Sequence, residues 1–154
     1  MKSLPSFFAV FLLVTTSTVL SLPAVATEFE PELARQTGAD TYGMKPYVMA
    51  FLKAGPNRSG SDEEKAALQR AHMENIKRLA DEGLLVLAGP FLDKGELRGI
   101  YIFNVSDVET ARKLTQSDPA IQSGSLVMEL KPWYGSAALM MVNELHSKVA
   151  EKGG

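Results

Sequence analysis

Leu84-Leu85-Val86-Leu87-Ala88-Gly89-Pro90 and Gly99-Ile100-Tyr101-Ile102-Phe103-Asn104 stand back to back in the middle of the chain, separated by the turn-like Asp93-Lys94-Gly95. Both runs are short, apolar and bounded by Gly, Pro or Asn, which is how strands read. The first is a strand over Leu84 to Leu87 that ends at Gly89-Pro90. The second alternates, with Tyr101 and Phe103 on one face and Ile100 and Ile102 on the other. Each is flanked outward by a helix. Upstream, Ser61-Asp62-Glu63-Glu64 is a capping box, in which the hydroxyl takes a free N–H and Glu64 reaches back. That helix runs to about Glu82, stops at Gly83 and carries the stripe Leu68, Ile76 and Leu79. Downstream, Ser106-Asp107-Val108-Glu109 opens a second helix with Val108, Ala111 and Leu114 inward. Pro119 limits it, because the residue before a proline avoids helical angles.

The outermost strands are Tyr47 to Leu52, closed by Gly55-Pro56, and Leu126 to Lys131, ended by Pro132-Trp133-Tyr134-Gly135. Ala137 to about Val149 reads as a terminal helix. The order strand, helix, strand, strand, helix, strand is the split β-α-β pattern. It predicts an α+β, ferredoxin-like βαββαβ domain, with two right-handed crossovers that put both helices on one face of an antiparallel four-stranded sheet. The other face also carries apolar side chains and needs a cover, for which self-association is the simple answer.

Ahead of this domain, Lys2, the apolar Phe7 to Leu20 and the small-residue site Ala24-Val25-Ala26 follow the layout of a secretory signal peptide. The expectation is cleavage after Ala26, and hence a periplasmic or secreted protein with no membrane attachment afterwards. The alternative of a transmembrane anchor is weakened by the Thr and Ser interleaved in the run. Residues 27–44 mix charge, Pro31 and Gly38 and read as an irregular arm. Residues 45–135 form the domain, and 136–154 the terminal helix and tail. The whole chain has net charge −2 and no cysteine. A mildly acidic chain without clustered Lys and Arg is a poor partner for nucleic acid. Without cysteine, disulfides and thiol chemistry are excluded, and stability must come from packing.

His72 falls on the Leu68–Ile76–Leu79 stripe, on the side of the first helix that faces the sheet. A buried imidazole needs partners for its ring nitrogens. Asp118, beyond the second helix on the same side, is a plausible one. A carboxylate beside imidazole fixes its tautomer and favours the charged form, the usual arrangement of a general acid/base near neutral pH. The plainer alternatives are a core histidine satisfied by a local carbonyl and an Asp-Pro pair that simply ends a helix. Gly89 would let a backbone approach a ligand, and Gly89-Pro90, Ser125 and Trp133 are candidate substrate-binding residues. Ser123, Tyr101, Phe91 and Tyr134 are further wall candidates. Two histidines and no cysteine give poor support for a zinc or iron site, and no cofactor is expected. No phosphate-binding loop and no nucleophile elbow is present.

These residues in this order resemble the YciI-like, or YCII-related, family over roughly Lys45 to Tyr134. The resemblance is carried by Tyr47-Val48-Met49-Ala50-Phe51-Leu52, by His72, and by Glu82-Gly83-Leu84-Leu85-Val86-Leu87-Ala88-Gly89-Pro90. It continues through Gly99-Ile100-Tyr101-Ile102-Phe103, Asp118-Pro119-Ala120-Ile121-Gln122-Ser123-Gly124 and Glu129-Leu130-Lys131-Pro132-Trp133. It implies a homodimeric α+β barrel with two sheets face to face, and it matches His72 and Asp118 to the family's proposed His/Asp site. It does not supply a reaction, and the fold alone does not decide one. Three functions follow as expectations. One is a cofactor-free enzyme that moves a proton on a small organic substrate. The second is a non-catalytic small-ligand-binding dimeric module of the cell envelope. The weakest is haem binding through His72 or His146.

Overall fold

The computed structural model describes residues 28–151. The signal-peptide reading of residues 1–26 lies outside the described residues. In chain order the elements are α1 (Pro31–Thr37), β1 (Met44–Ala54), α2 (Asp62–Asp81), β2 (Leu85–Pro90), β3 (Leu97–Phe103), α3 (Val108–Thr115), α4 (Pro119–Gln122), β4 (Leu126–Ser136), a 3-10 turn (Ala137–Met141) and α5 (Val142–Val149). The strands form one antiparallel sheet in the order β2-β3-β1-β4, which is the ferredoxin-like arrangement. Among the described residues no helix is long and apolar enough to cross a membrane.

The helix side of the sheet holds the main core. Val48, Ala50 and Leu52 of β1, Leu85 of β2, and Tyr101 and Phe103 of β3 pack there with Leu79 of α2 and Ala111 of α3. Phe103, Leu79, Leu85 and Val48 are fully buried. Burying each such side chain stabilises the fold by about 1.5–3 kcal/mol. The capping box of α2 is formed: Glu64 N–H donates to the Ser61 hydroxyl, and Ser61 N–H donates to the Glu64 carboxylate.

Several boundaries differ from the expectation, each for a local reason. The arm is not irregular throughout: Pro31 occupies the first turn of α1, and Gly38 closes that helix in the left-handed conformation at φ 70°. The second helix begins one residue late, with Asp107 rather than Ser106 accepting the Thr110 N–H. Helix α3 ends by Thr115, and Asp118-Pro119 starts the separate α4 with Asp118 as its N-cap. Gly89 and Pro90 lie inside β2. Pro132 does not stop β4, which runs on to Ser136. A proline is tolerated there because β4 is an edge strand.

The far side of the sheet is covered in part. Tyr47, Val86 and Ile102 are buried under Leu139 and Met140 of the 3-10 turn, with Trp133 beside them. Asn143 of α5 fastens this tail by donating to the Leu85 carbonyl at 2.8 Å. Phe51 and Ile100 face each other on the same side, toward the other end of the sheet, and are half-buried. Beside them Glu129 bonds both Lys53 and Lys131, and the two ammonium groups, Lys131 first, hold its carboxyl down at about 2.

Candidate functional site

The antiparallel order brings the ends of β1 and β2 and the starts of β3 and β4 to one end of the sheet. Helix α2 crosses above that end. Its last turn buries Leu79 in the core, its earlier turns hold Leu68 and His72 over a cleft, and Ile76 lies partly buried between core and cleft. The cleft has a volume of about 720 Å³, within the range of small-molecule sites. Its rim is made by Asn57–Ser59 after β1, by Ser123 and Ser125 before β4, and by Ala88–Pro90 and Arg98–Gly99 of the β2–β3 hairpin. The rim is tied across by Gly55 N–H donating to Ser125 O at 2.8 Å and by Asn57 N–H donating to Gly124 O at 3.0 Å.

His72 and Asp118 come together from 46 residues apart. The imidazole Nδ1 lies 2.9 Å from Asp118 Oδ1 and 2.8 Å from Oδ2. Asp118 is 1% exposed and His72 7%. The carboxylate does two jobs, because Oδ1 also accepts the Ala120 N–H at 2.9 Å as the cap of α4. A carboxylate facing Nδ1 accepts a hydrogen bond from its N–H, so the neutral ring presents Nε2 as an acceptor. Nε2 is 3.3 Å from the Tyr101 hydroxyl, which therefore donates to it. Burial first, and then the nearby Asp118 charge, push the Tyr101 phenol well above its ordinary range, so it stays protonated. The result is a buried series Asp118–His72–Tyr101 whose last two members border the cleft.

The other expected residues divide. Gly89, Pro90 and Ser125 line the cleft. At Gly89 a Cβ would meet no protein atom within 4 Å, so packing within the chain does not require a glycine there. At Gly99, its neighbour across the strands, packing does require one: a Cβ on Gly99 would lie 2.5 Å from the Gly89 carbonyl oxygen. Trp133 is on the wrong side of the sheet for substrate. It pairs with Tyr47 in β4–β1 register, and their rings lie 5.9 Å apart on the far face. Because β4 continues through Pro132, the strand's alternation sends Trp133 away from the helices. Phe91 and Tyr134 are exposed and lie off the cleft, and His146 is exposed on α5. No group of His, Asp and Glu suited to a metal ion occurs among the described residues.

Two participants go beyond the sequence expectation. Tyr101, expected only as a wall, is the partner of His72. Arg98 carries no mark in the sequence pattern. The β1–β3 register slips between Leu52 and Lys53, so that Gly99 faces Leu52, Leu97 faces Lys53, and Arg98 is the extra residue between. A bulge re-aims a side chain, and this one takes Arg98 to the cleft wall.

The model of the YCII-related domain matches residues 47–134. The chain belongs to the YCII-related domain family. The matched span contains β2, β3, most of β1 and β4, α2 to α4 and every residue of the Asp118–His72–Tyr101 series. Among curated relatives, the uncharacterized protein YjpA of Bacillus subtilis (strain 168) is 34% identical over 62 residues, covering 40% of this chain and 71% of YjpA. Among solved structures, the chain is similar to 5-chloro-2-hydroxyhydroquinone dehydrochlorinase (TftG) from Burkholderia phenoliruptrix AC1100, in complex with 2,5-dihydroxybenzoquinone. The identity is 16% and the TM-score 0.43, covering 58% of this chain and 93% of TftG.

Proposed function

We propose that this YCII-related protein is a cofactor-independent enzyme that moves a proton on a small organic molecule held in the cleft. The observation that carries the reading is the placement of His72, with Nδ1 on a buried carboxylate and Nε2 turned to the cleft through Tyr101. In the neutral ring Nε2 is the base. It takes a proton from an acidic carbon or hydroxyl of the substrate, and the electron pair left behind settles on a substrate oxygen. Asp118 then faces an imidazolium and balances its charge. Once Nε2 is protonated it can no longer accept from Tyr101. The phenol, still holding its own proton, is released to donate to the new oxyanion. Return of the proton from Nε2 to a different substrate atom completes an isomerisation, and departure of a leaving group completes an elimination.

The test is deuterium wash-in. Enolisable ketones, hydroxyaromatics and lactones are incubated with the protein in D2O and followed by proton NMR. Exchange at carbon is expected for at least one class, and His72→Gln is expected to slow it by about 10²–10⁴. Equal exchange by both proteins removes His72 from the mechanism. A second reading is favoured by the low exposure of His72 and by the partners on both its nitrogens: a module that binds a small ligand without turnover. Saturable binding with no wash-in across the same compounds selects that reading.

The proposal includes pairing of two chains through the part of the far face around Phe51 and Ile100, which the tail leaves open. Sedimentation equilibrium should give twice the chain mass for the protein, and the single-chain mass for Phe51→Glu. A single-chain mass for the unaltered protein rejects the pairing.

A further inference from the structure

The Arg98 guanidinium has an incomplete set of partners. Its Nε is buried and has no hydrogen-bond partner among the described residues. No ion pair among the described residues engages Arg98, Arg58 or Lys65, and all three line the cleft. The one acidic side chain on the same wall, Glu64, is already occupied by the Ser61 N–H in the cap of α2. Asp118 sits behind the imidazole and is occupied by His72 and Ala120. The whole chain carries net charge −2, yet among the Lys, Arg, Asp and Glu side chains that border this space the cations Arg58, Lys65 and Arg98 outnumber the single acid, Glu64. A cleft lined by one sign of charge concentrates ligands of the other sign.

Resting on the proton-transfer reading above, we infer that the cleft takes a small organic anion whose carboxylate is held by Arg98. The chemistry of the fork supports a two-oxygen group. A planar guanidinium binds a carboxylate through two parallel N–H···O bonds, and such charge-assisted pairs are about twice as strong as neutral ones. A carboxylate seated across the Nε and Nη edge, after a small turn of the fork, takes the orphan donor and a second donor together. A buried donor gains from any acceptor that reaches it, and a ligand carboxylate placed at this point supplies a charged one. The bulge fixes the position. Arg98 is the unpaired residue of β3, one step from Gly99 and three from Tyr101, so an anion anchored there lies along the same strand as the phenol that bonds His72. Arg58 is less free, because its Nη1 donates to the Ser125 carbonyl at 3.2 Å and braces the rim.

The test uses matched probes on the full chain: benzoate and 2-hydroxybenzoate against benzamide and 2-hydroxybenzamide, titrated into isotope-labelled protein and followed by NMR. The carboxylates are expected to bind at least ten times more tightly than the amides and to move the Gly99 and Ser125 amide signals and the His72 ring. Arg98→Gln should bring the two affinities within about twofold of each other without weakening the neutral amides. Arg98→Lys, which keeps the charge and loses the fork, should restore part of the preference, and Arg58→Gln should leave most of it. The backbone spectrum of each variant reports its folding directly. A preference that survives Arg98→Gln overturns the assignment, as does equal affinity of the two sets or failure of the carboxylates to bind in the cleft. Neutral probes that move His72 as strongly as carboxylates would sink the anion site and leave the proton-transfer reading standing. Selective carboxylate binding that never perturbs the His72 ring would do the reverse.

Discussion

Asp118→Ala should lose about 3–5 kcal/mol of stability, read as a lower midpoint in urea at unchanged slope. Three things go at once. The His72 Nδ1 proton is left without its acceptor in a site that is almost sealed from water. The first turn of α4 loses its cap at Ala120. A small cavity opens beside the buried His72 and Ala120. Asp118→Asn separates these effects. Asparagine is as good an N-cap as aspartate, and its amide oxygen can still accept from Nδ1, so the loss should fall to about 1 kcal/mol. The charge that balances an imidazolium is gone, however, and wash-in of deuterium should drop by about 10² or more. Equal stability losses in the two variants would show that the cap and the ring contact contribute little. Unchanged wash-in by Asp118→Asn would show that the carboxylate only positions the ring.

Gly55→Ala is the second large effect, and it acts without touching any group that does chemistry. A Cβ on Gly55 would overlap the Gly124 carbonyl oxygen and stand 2.8 Å from the carbonyl carbons of Gly124 and Ser125. All three are backbone atoms, so no rotamer change relieves the contact. The strand ends must separate, which breaks the Gly55-to-Ser125 and Asn57-to-Gly124 hydrogen bonds that close the cleft rim. A loss of about 3 kcal/mol is expected, at the upper end of what overpacking costs. Hydrogen exchange should be fastest at Gly55, Asn57 and Ser125. Gly89→Ala serves as the control, since open space surrounds that position. A Gly55→Ala protein as stable as this control would mean that the two chain segments do not meet as described.

The fold was legible because its signals are local. The capping box at Ser61 and the strand alternation at Tyr101 and Phe103 each depend on neighbours a few residues away. His72 was legible for the same reason, by its place on a helical stripe, and Asp118 by its side chain and the order of elements. The misread positions depend on context that periodicity does not carry. Pro132 stops a central strand but not an edge strand, and only the strand order reveals which one β4 is. That single difference moved Trp133 from a proposed substrate wall to the back of the sheet. Arg98 was invisible because a bulge adds one residue without a compositional mark. The available clue was a lone charge beside a glycine at the start of an apolar strand. Tyr101 was placed on the correct face, but its meeting with His72 depends on where α2 crosses the sheet.

The segment after β4 acts as a doorstop on the back of the molecule. Leu139, Met140 and Asn143 take up the end of that surface near Tyr47 and Val86, and leave the end near Phe51 and Ile100. Whatever settles there is seated off-centre. Ile100 and Tyr101 are consecutive residues pointing to opposite sides of one strand, so such a guest would lie a single backbone's thickness behind the phenol, and pressure on one would be felt by the other.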